Sequence, residues 1–425
     1  MSSPQPEFSA TGFTLPGTSR EVPFVPATEL VNQTAFPSAL FTALDQYGEA
    51  FHVVTLRISY DMDGADATTR ESAPLTQDRR PVLGYAAEQS PLVAEDAWSG
   101  APNESSPLWE SDYAPYKPRC DVLVVHAVSR PPMGEWQRAV GRLVEPDQAP
   151  QAQAWHCGVS LQWLDPEAQA QQWSKQLRVT GPRRCGLLGV DGPTPATEVP
   201  IDWLHAYGGQ DKQPAQDERT RDGSIRAAGS SAWHTDERNP VGCGFRRHIG
   251  DPLPQVELGT EAFGGLLTRQ DFAPASLGPL GRAWLPRRLL AGTTDEAWLQ
   301  TQWPLIPQDF DFAYWNCAPA DQQVPYLPPG TRIRLTHLHS PQAGPISIDQ
   351  ETWTACLPAR HPCVLWRLAS GVMLPRPLHL DTLVVDLKAR QIYATHRAVM
   401  SAKVDVRQVD ALLMPWPTRP EARHG

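Results

Sequence analysis

Apolar and polar residues alternate within Phe51–Tyr60: Val54, Leu56, Ile58 and Tyr60 fall on one side, Thr55, Arg57 and Ser59 on the other. That period of two predicts a β-strand. Val122 to Val125 is instead an unbroken apolar run behind Pro118-Arg119-Cys120-Asp121, the pattern of a strand covered on both faces. Arg332–Leu338 reads as a further strand, and Leu380–Leu387 with Gln391–Arg397 as a hairpin around Lys388-Ala389-Arg390. Trp136–Val144 fits helical spacing through Trp136, Val140 and Val144, but is read as a strand paired with the run before it. Two short helices are expected. One opens at Asp165 as N-cap with Pro166 in its first turn and runs to about Trp173. The other starts from the capping-box match Thr293-x-x-Glu296 and carries Trp298.

These elements predict a mainly β protein, its antiparallel sheets packed as sandwich-like lobes with long Pro/Gly-rich loops. The expected division is an extended N-terminal arm over residues 1–25, a β-rich lobe over 26–207, a polar surface loop over 208–235, a second β-rich lobe over 236–400 and a tail over 401–425. No internal repeat is visible. Within the second lobe, residues 274–322 set prolines, glycines, tryptophans and acids a few positions apart. Proline removes a backbone donor and fixes φ, so such a stretch must run in short extended pieces and turns. Buried tryptophans are expected to pin it, with Trp284, Trp298 and Trp303 largely covered.

Composition sharpens this picture. Forty-four prolines in 425 residues are about twice the usual share, and they are spread along the chain, which argues for many short strands and loops. A net charge of −10, with basic residues only in isolated pairs such as Arg183-Arg184 and Arg287-Arg288, argues against nucleic acid as a partner. No secretory leader or membrane-spanning stretch is read, so the expected location is cytoplasmic, and the seven cysteines, none in a C-x-x-C pair, are expected as reduced thiols. For metals, His337 and His339 share a face of a predicted strand, but nothing in the spacing brings them to Cys356, His361 or Cys363. Asp295-Glu296 and Asp309-x-Asp311 read as cap and turn acids more readily than as an acid–base pair. Gly242-x-Gly244 lacks the rest of a phosphate loop, and no nucleophile elbow occurs. No catalytic residue, cofactor or metal is therefore expected.

The ordered blocks of the chain resemble a bacterial domain-of-unknown-function family whose members are encoded beside type VI secretion spike genes. The resemblance rests on Asn32–Phe36, the strand Phe51–Tyr60, Glu110-Ser111-Asp112 leading to Lys117–Val124, Pro200–Gly209 ending in Tyr207-Gly208-Gly209, Asn239–Phe245, Leu253–Glu257, Pro274–Gln322 and Asp381–Val384. His126 stands where the family pattern has a glycine after the buried strand, and Thr294, Cys243 and Thr395-His396-Arg397 also depart from it. The resemblance implies an effector chaperone or adaptor that binds a co-encoded effector in the cytoplasm and assists its loading onto the VgrG and PAAR spike. The other readings are a β-rich hydrolase or carbohydrate-active enzyme, and a structural component of the spike.

Overall fold

A computed structural model describes residues 7–9, 12–15, 19–23, 28–63, 81–132, 143–144, 151–210, 235–245, 248–259, 272–341, 346–347 and 351–415. The fold is mainly β, with 47% strand and 5% helix among the described residues. A seven-stranded sheet dominates. Its order is Gln323–Val324, Cys120–Val125, His379–Asp386, Gln391–Ser401, Ala50–Asp61 and Ser38–Leu44, with Gly84–Tyr85 added beside Ala50–Asp61. Cys120–Val125 and His379–Asp386 run parallel, while the other pairs in this sheet are antiparallel. A five-stranded sheet orders Val256–Leu258, Ala170–Thr180, Ala154–Leu164, Arg332–Thr336 and Thr352–Cys356, and a four-stranded sheet orders Met373–Pro377, Arg360–Leu368, Val406–Pro415 and Glu29–Asn32.

One continuous apolar core joins these three sheets. Leu56, Ile58, Val122, Leu383 and Ile392 contribute from the large sheet, Trp155, Leu161, Leu177 and Ile333 from the second, and Trp366 and Val409 from the third. The expected division into successive lobes is therefore not how the chain packs. Strands from before residue 207 and after residue 236 are mixed within each of these sheets. The arm expected at residues 1–25 contains a small sheet of Glu7–Phe8, Gly12–Thr14 and Glu21–Pro23, with Phe13 and Val22 buried against Leu305. The tail expected at 401–425 holds the strand Val406–Pro415. Of the polar loop 208–235, Tyr207–Gln210 begins as a strand, and residues 211–234 lie outside the described part. Most of Trp136–Val144 lies outside it too, leaving Leu143–Val144 as a strand.

The strands Phe51–Tyr60 and Val122 to Val125 extend to Ala50–Asp61 and Cys120–Val125, and the hairpin forms between His379–Asp386 and Gln391–Ser401. The helix expected from Asp165 is a hairpin turn instead. Its carboxylate accepts the N–H groups of Glu167 and Gln169 at 3.0 and 2.9 Å, Ala168 takes φ 64°, and Leu164 pairs with Ala170 across the turn. An Asx turn and a helix N-cap use the same residue and the same acceptor, and here the long strand pairing on either side decides between them. The second helix forms over Glu296–Thr301, but Asp295 caps it by accepting the Trp298 N–H at 2.8 Å, while Thr293 donates to Asp309. Arg332–Thr336 ends early because His337 has φ 51°.

Candidate functional site

Alternation in the large sheet gives it two unlike faces. Leu56, Ile58, Val122, Val124, Leu383 and Val385 point into the apolar core. The opposite face carries Arg57, Ser59, Asp121, Thr382, Thr395 and Arg397, and ordinary period-two logic would leave it to water. It is buried: Arg57 is 4% exposed, and Asp121 and Ser59 0%. The cover comes from residues 93–119 and from the Trp/Pro-rich segment 274–322, which supply the missing charges and backbone donors.

Asp121 is the centre of this layer. Its carboxylate accepts from the Asn316 side-chain amide at 3.0 Å, the Cys317 N–H at 3.0 Å and the Ala318 N–H at 3.1 Å, and it pairs with the Lys117 ammonium at 2.8 Å. Lys117 also donates to Thr382 at 3.0 Å and lies 3.3 Å from Glu110. Glu110 in turn meets Arg287, whose guanidinium donates to the Leu280 carbonyl at 3.0 Å and the Tyr314 carbonyl at 2.8 Å. Arg282 links Glu110 at 3.4 Å to Asp96 at 2.8 Å. On the other side, Asp112 accepts from Arg57 at 2.9 Å, Thr395 at 2.8 Å and the Val93 N–H at 2.8 Å, while Arg397 pairs with Asp381 and donates to the Asp112 carbonyl at 2.8 Å. Five cations thus face five carboxylates in one connected network.

The titration behaviour follows from that closure. Burial alone would lower the Lys117 pKa, but the carboxylates of Asp121, Glu110 and Asp381 outweigh it and raise the pKa, so the ammonium is fixed. Burial would raise the Glu110 pKa, and Arg287, Lys117 and Arg282 together hold it below its ordinary value. Burial, reinforced by Asp121, pushes the Cys317 thiol well up, so it is an unreactive neutral group.

Glu110, Asp121 and Cys317 bring ligand atoms within 4.8 Å of one another, the set among the described residues that could hold a metal ion. The Lys117 ammonium sits among them, 3.9 Å from the Cys317 sulfur, and supplies the positive charge a cation would bring. His337, His339, His361 and Cys363 form no such group. His337 instead places its Nδ1 2.7 Å from the His156 carbonyl, and Cys356 is buried. Asp295 caps the short helix and Asp309 holds a turn, as their acceptor bonds show. Gly244 and Asn239 belong to a tight crossing beside Gly208 and Gly209, where the Asn239 amide donates to the Trp203 and Tyr207 carbonyls at 2.9 Å each.

A cavity of about 10 Å³, lined by Arg57, Trp109, Glu110, Lys117, Cys317 and Thr382, has room for about one water molecule. Aromatic rings roof the layer. Arg57 lies 4.4 Å from the Tyr393 ring centre and 5.3 Å from Trp109, and Arg282 lies 5.3 Å from Trp315. Farther out, Phe41 contacts Tyr113 at 5.7 Å, Tyr116 contacts Phe312 at 5.9 Å, and Phe312 contacts Phe51 and Phe310. Tyr113 is 43% and Tyr116 36% exposed, so this packed band is an aromatic surface open on one side.

The tryptophans divide differently from expectation. Trp284 is fully buried, edge-on to Trp203 at 5.5 Å, and Trp203 donates to the Pro279 carbonyl at 2.7 Å. Trp298 and Trp303 are only partly covered, because the six-residue helix lies on the surface and Trp298 folds back only to the Leu305 carbonyl, at 3.0 Å. The buried ionic layer itself was not read from sequence. Its one visible signal was that charged residues recur inside the resemblance blocks, in Glu110-Ser111-Asp112, Lys117–Asp121, Arg287 and Asp381. His126, where the resemblance pattern has glycine, takes φ 51° and turns its ring to Asp386 at 3.0 Å.

Among the described residues no helix is long and apolar enough to cross a membrane. No curated protein and no solved structure matches the chain. A family model matches over residues 52–397, limits that enclose the whole ionic layer from Arg57 to Arg397, and the chain belongs to that family, described as an uncharacterized protein conserved in bacteria, DUF2169.

Proposed function

We propose that this protein is an effector chaperone or adaptor of type VI secretion, which binds a co-encoded effector in the cytoplasm and assists its loading onto the VgrG and PAAR spike, without catalysing a reaction. The observation that carries this reading is the construction of the aromatic face. The segments that resemble the adaptor family meet at one ionic layer, spend their charges on one another there, and hold Phe41, Tyr113, Tyr116, Phe312 and Trp315 as a partly exposed band above it. Rigid, half-exposed aromatic groups lose little entropy on binding and are the usual anchors of a protein interface. The converging carboxylates Glu110 and Asp121, which a hydrolase would need free, are instead held by Lys117 and Arg287.

Deleting the gene tests the proposal. Secretion of the co-encoded effector is expected to stop and its cellular level to fall, since the bound state is stabilised by mass action, while the secretion apparatus still assembles. Normal secretion at an unchanged effector level contradicts it.

A further inference from the structure

Among the described residues, the large sheet ends on an open edge, where Ser38–Leu44 pairs with Ala50–Asp61 on one side and with no strand on the other. The Pro37 carbonyl accepts the Arg57 N–H at 3.0 Å, and the Asp45 N–H donates to Glu49 at 3.1 Å. Antiparallel pairing alternates, so Ala39, Phe41 and Ala43 spend their peptide groups inward, and those of Ser38, Leu40, Thr42 and Leu44 point out of the sheet. The bond from Ala402 N–H to the Ala50 carbonyl on the far side of the neighbouring strand, at 2.9 Å, confirms the phase.

Four other edge strands of the three main sheets are guarded. Met373–Pro377 carries Pro375, Pro377 and Arg376, Gln323–Val324 and Val256–Leu258 are very short, and Thr352–Cys356 is capped where the Cys356 N–H meets the Pro81 carbonyl at 3.0 Å. Ser38–Leu44 has seven residues, no charge, no proline and no bulge, and is the longest edge strand of these sheets among the described residues. Phe41 and Tyr113 stand partly exposed on one side of it, and Tyr47, 54% exposed, follows its end.

We infer that this edge pairs with the same edge of a second copy of the chain, antiparallel about a two-fold axis at Phe41. The outward set is symmetric about that residue: Ser38 meets Leu44 of the second copy and Leu40 meets its Thr42, so each outward peptide group finds a partner. Phe41 faces its own mate in a cross-strand aromatic pair. The segment's lack of charge is what admits a copy here, since elsewhere a net charge of −10 per chain opposes self-association. The result is an isologous dimer with the large sheet continuous across it. The inference does not rest on the adaptor reading, and its failure leaves that reading unchanged.

Thr42→Pro tests it. The Thr42 N–H points outward, so proline there removes a dimer bond without removing one from the native ladder. Thr42→Val controls for the 3.3 Å contact to His52. Native mass spectrometry and sedimentation of the full chain are expected to show a concentration-dependent dimer for the natural chain and for Thr42→Val. Thr42→Pro should dissociate about thirtyfold more readily, two symmetry-related hydrogen bonds being lost. If Thr42→Pro does not fold, hydrogen exchange of the natural chain decides: protection of the Leu40, Thr42 and Leu44 amides that rises with protein concentration supports the dimer. A single-chain mass up to about 100 micromolar, a dimer undisturbed by Thr42→Pro, or fast exchange of those amides at every concentration overturns it.

Discussion

Replacing Lys117 with methionine asks whether the ionic layer carries structural weight. The Lys117 side chain is only 3% exposed, and its ammonium touches Asp121 at 2.8 Å and Glu110 at 3.3 Å and donates to Thr382 at 3.0 Å. Methionine keeps most of the stem volume and removes the charge, leaving Asp121 with no exposed surface and no cation in contact. Breaking one partner out of a buried pair costs about 3–5 kcal/mol, because the other charge stays desolvated. Three N–H groups still reach Asp121, and Arg287 still holds Glu110, so the lower end, about 3 kcal/mol, is expected. Asp121→Asn should cost a similar amount, since it strands the lysine. The double variant should cost clearly less than the sum, with a coupling of about 2 kcal/mol. Denaturant unfolding followed by tryptophan fluorescence measures this as a midpoint shift at constant slope. A Lys117→Met cost below about 1 kcal/mol, the level of an exposed ion pair, refutes the reasoning.

Other outcomes follow from single sites. Burial lowers His396 to about 3 and His361 and His339 to about 4 from an ordinary value of 6.5, so their contribution is full above pH 6.5 and is lost as pH falls towards those values. Between about pH 6 and 5 each should remove up to about 1.4 kcal/mol per pH unit, and His361→Gln should flatten the stability–pH curve by that amount; an unchanged slope contradicts the assignment. Trp284→Ala should cost about 3–5 kcal/mol and Trp298→Ala roughly half of that, because only the first is fully enclosed; equal midpoint shifts would refute the distinction. Ala168→Gly should raise stability by about 0.5–1 kcal/mol by relieving φ 64°, read from the same unfolding curves, whereas a loss would mean the turn tolerates its side chain without strain.

Period-two patterning made Ala50–Asp61 and the last hairpin legible, because a half-buried strand writes its two faces directly into the sequence. The same pattern carries no information on what lies over the polar face. Arg57 and Asp121 have no visible partner in the pattern until Asp112, 55 positions from Arg57, and Asn316, 195 positions from Asp121, close over the sheet, with Lys117, 4 positions ahead of Asp121, completing the set. Such pairing is set by three-dimensional closure and leaves no local period. Asp165 was ambiguous for a different reason, since one side-chain acceptor serves both a helix start and a hairpin turn. Trp298 shows that a large apolar residue on a short helix need not be core, while Trp284, in the proline-rich segment, and Trp203, packed against that segment, are.

The central claim, that the aromatic face receives an effector, is tested most directly by native mass measurement of the protein co-expressed with its co-encoded effector, beside a Tyr113→Ala, Tyr116→Ala variant. Both tyrosines are substantially exposed, so their loss should leave the unfolding midpoint within about 1 kcal/mol of the natural protein. The account predicts a stable complex for the natural chain and its loss or marked weakening in the variant. Absence of any complex, or a complex that the double substitution leaves untouched, contradicts it.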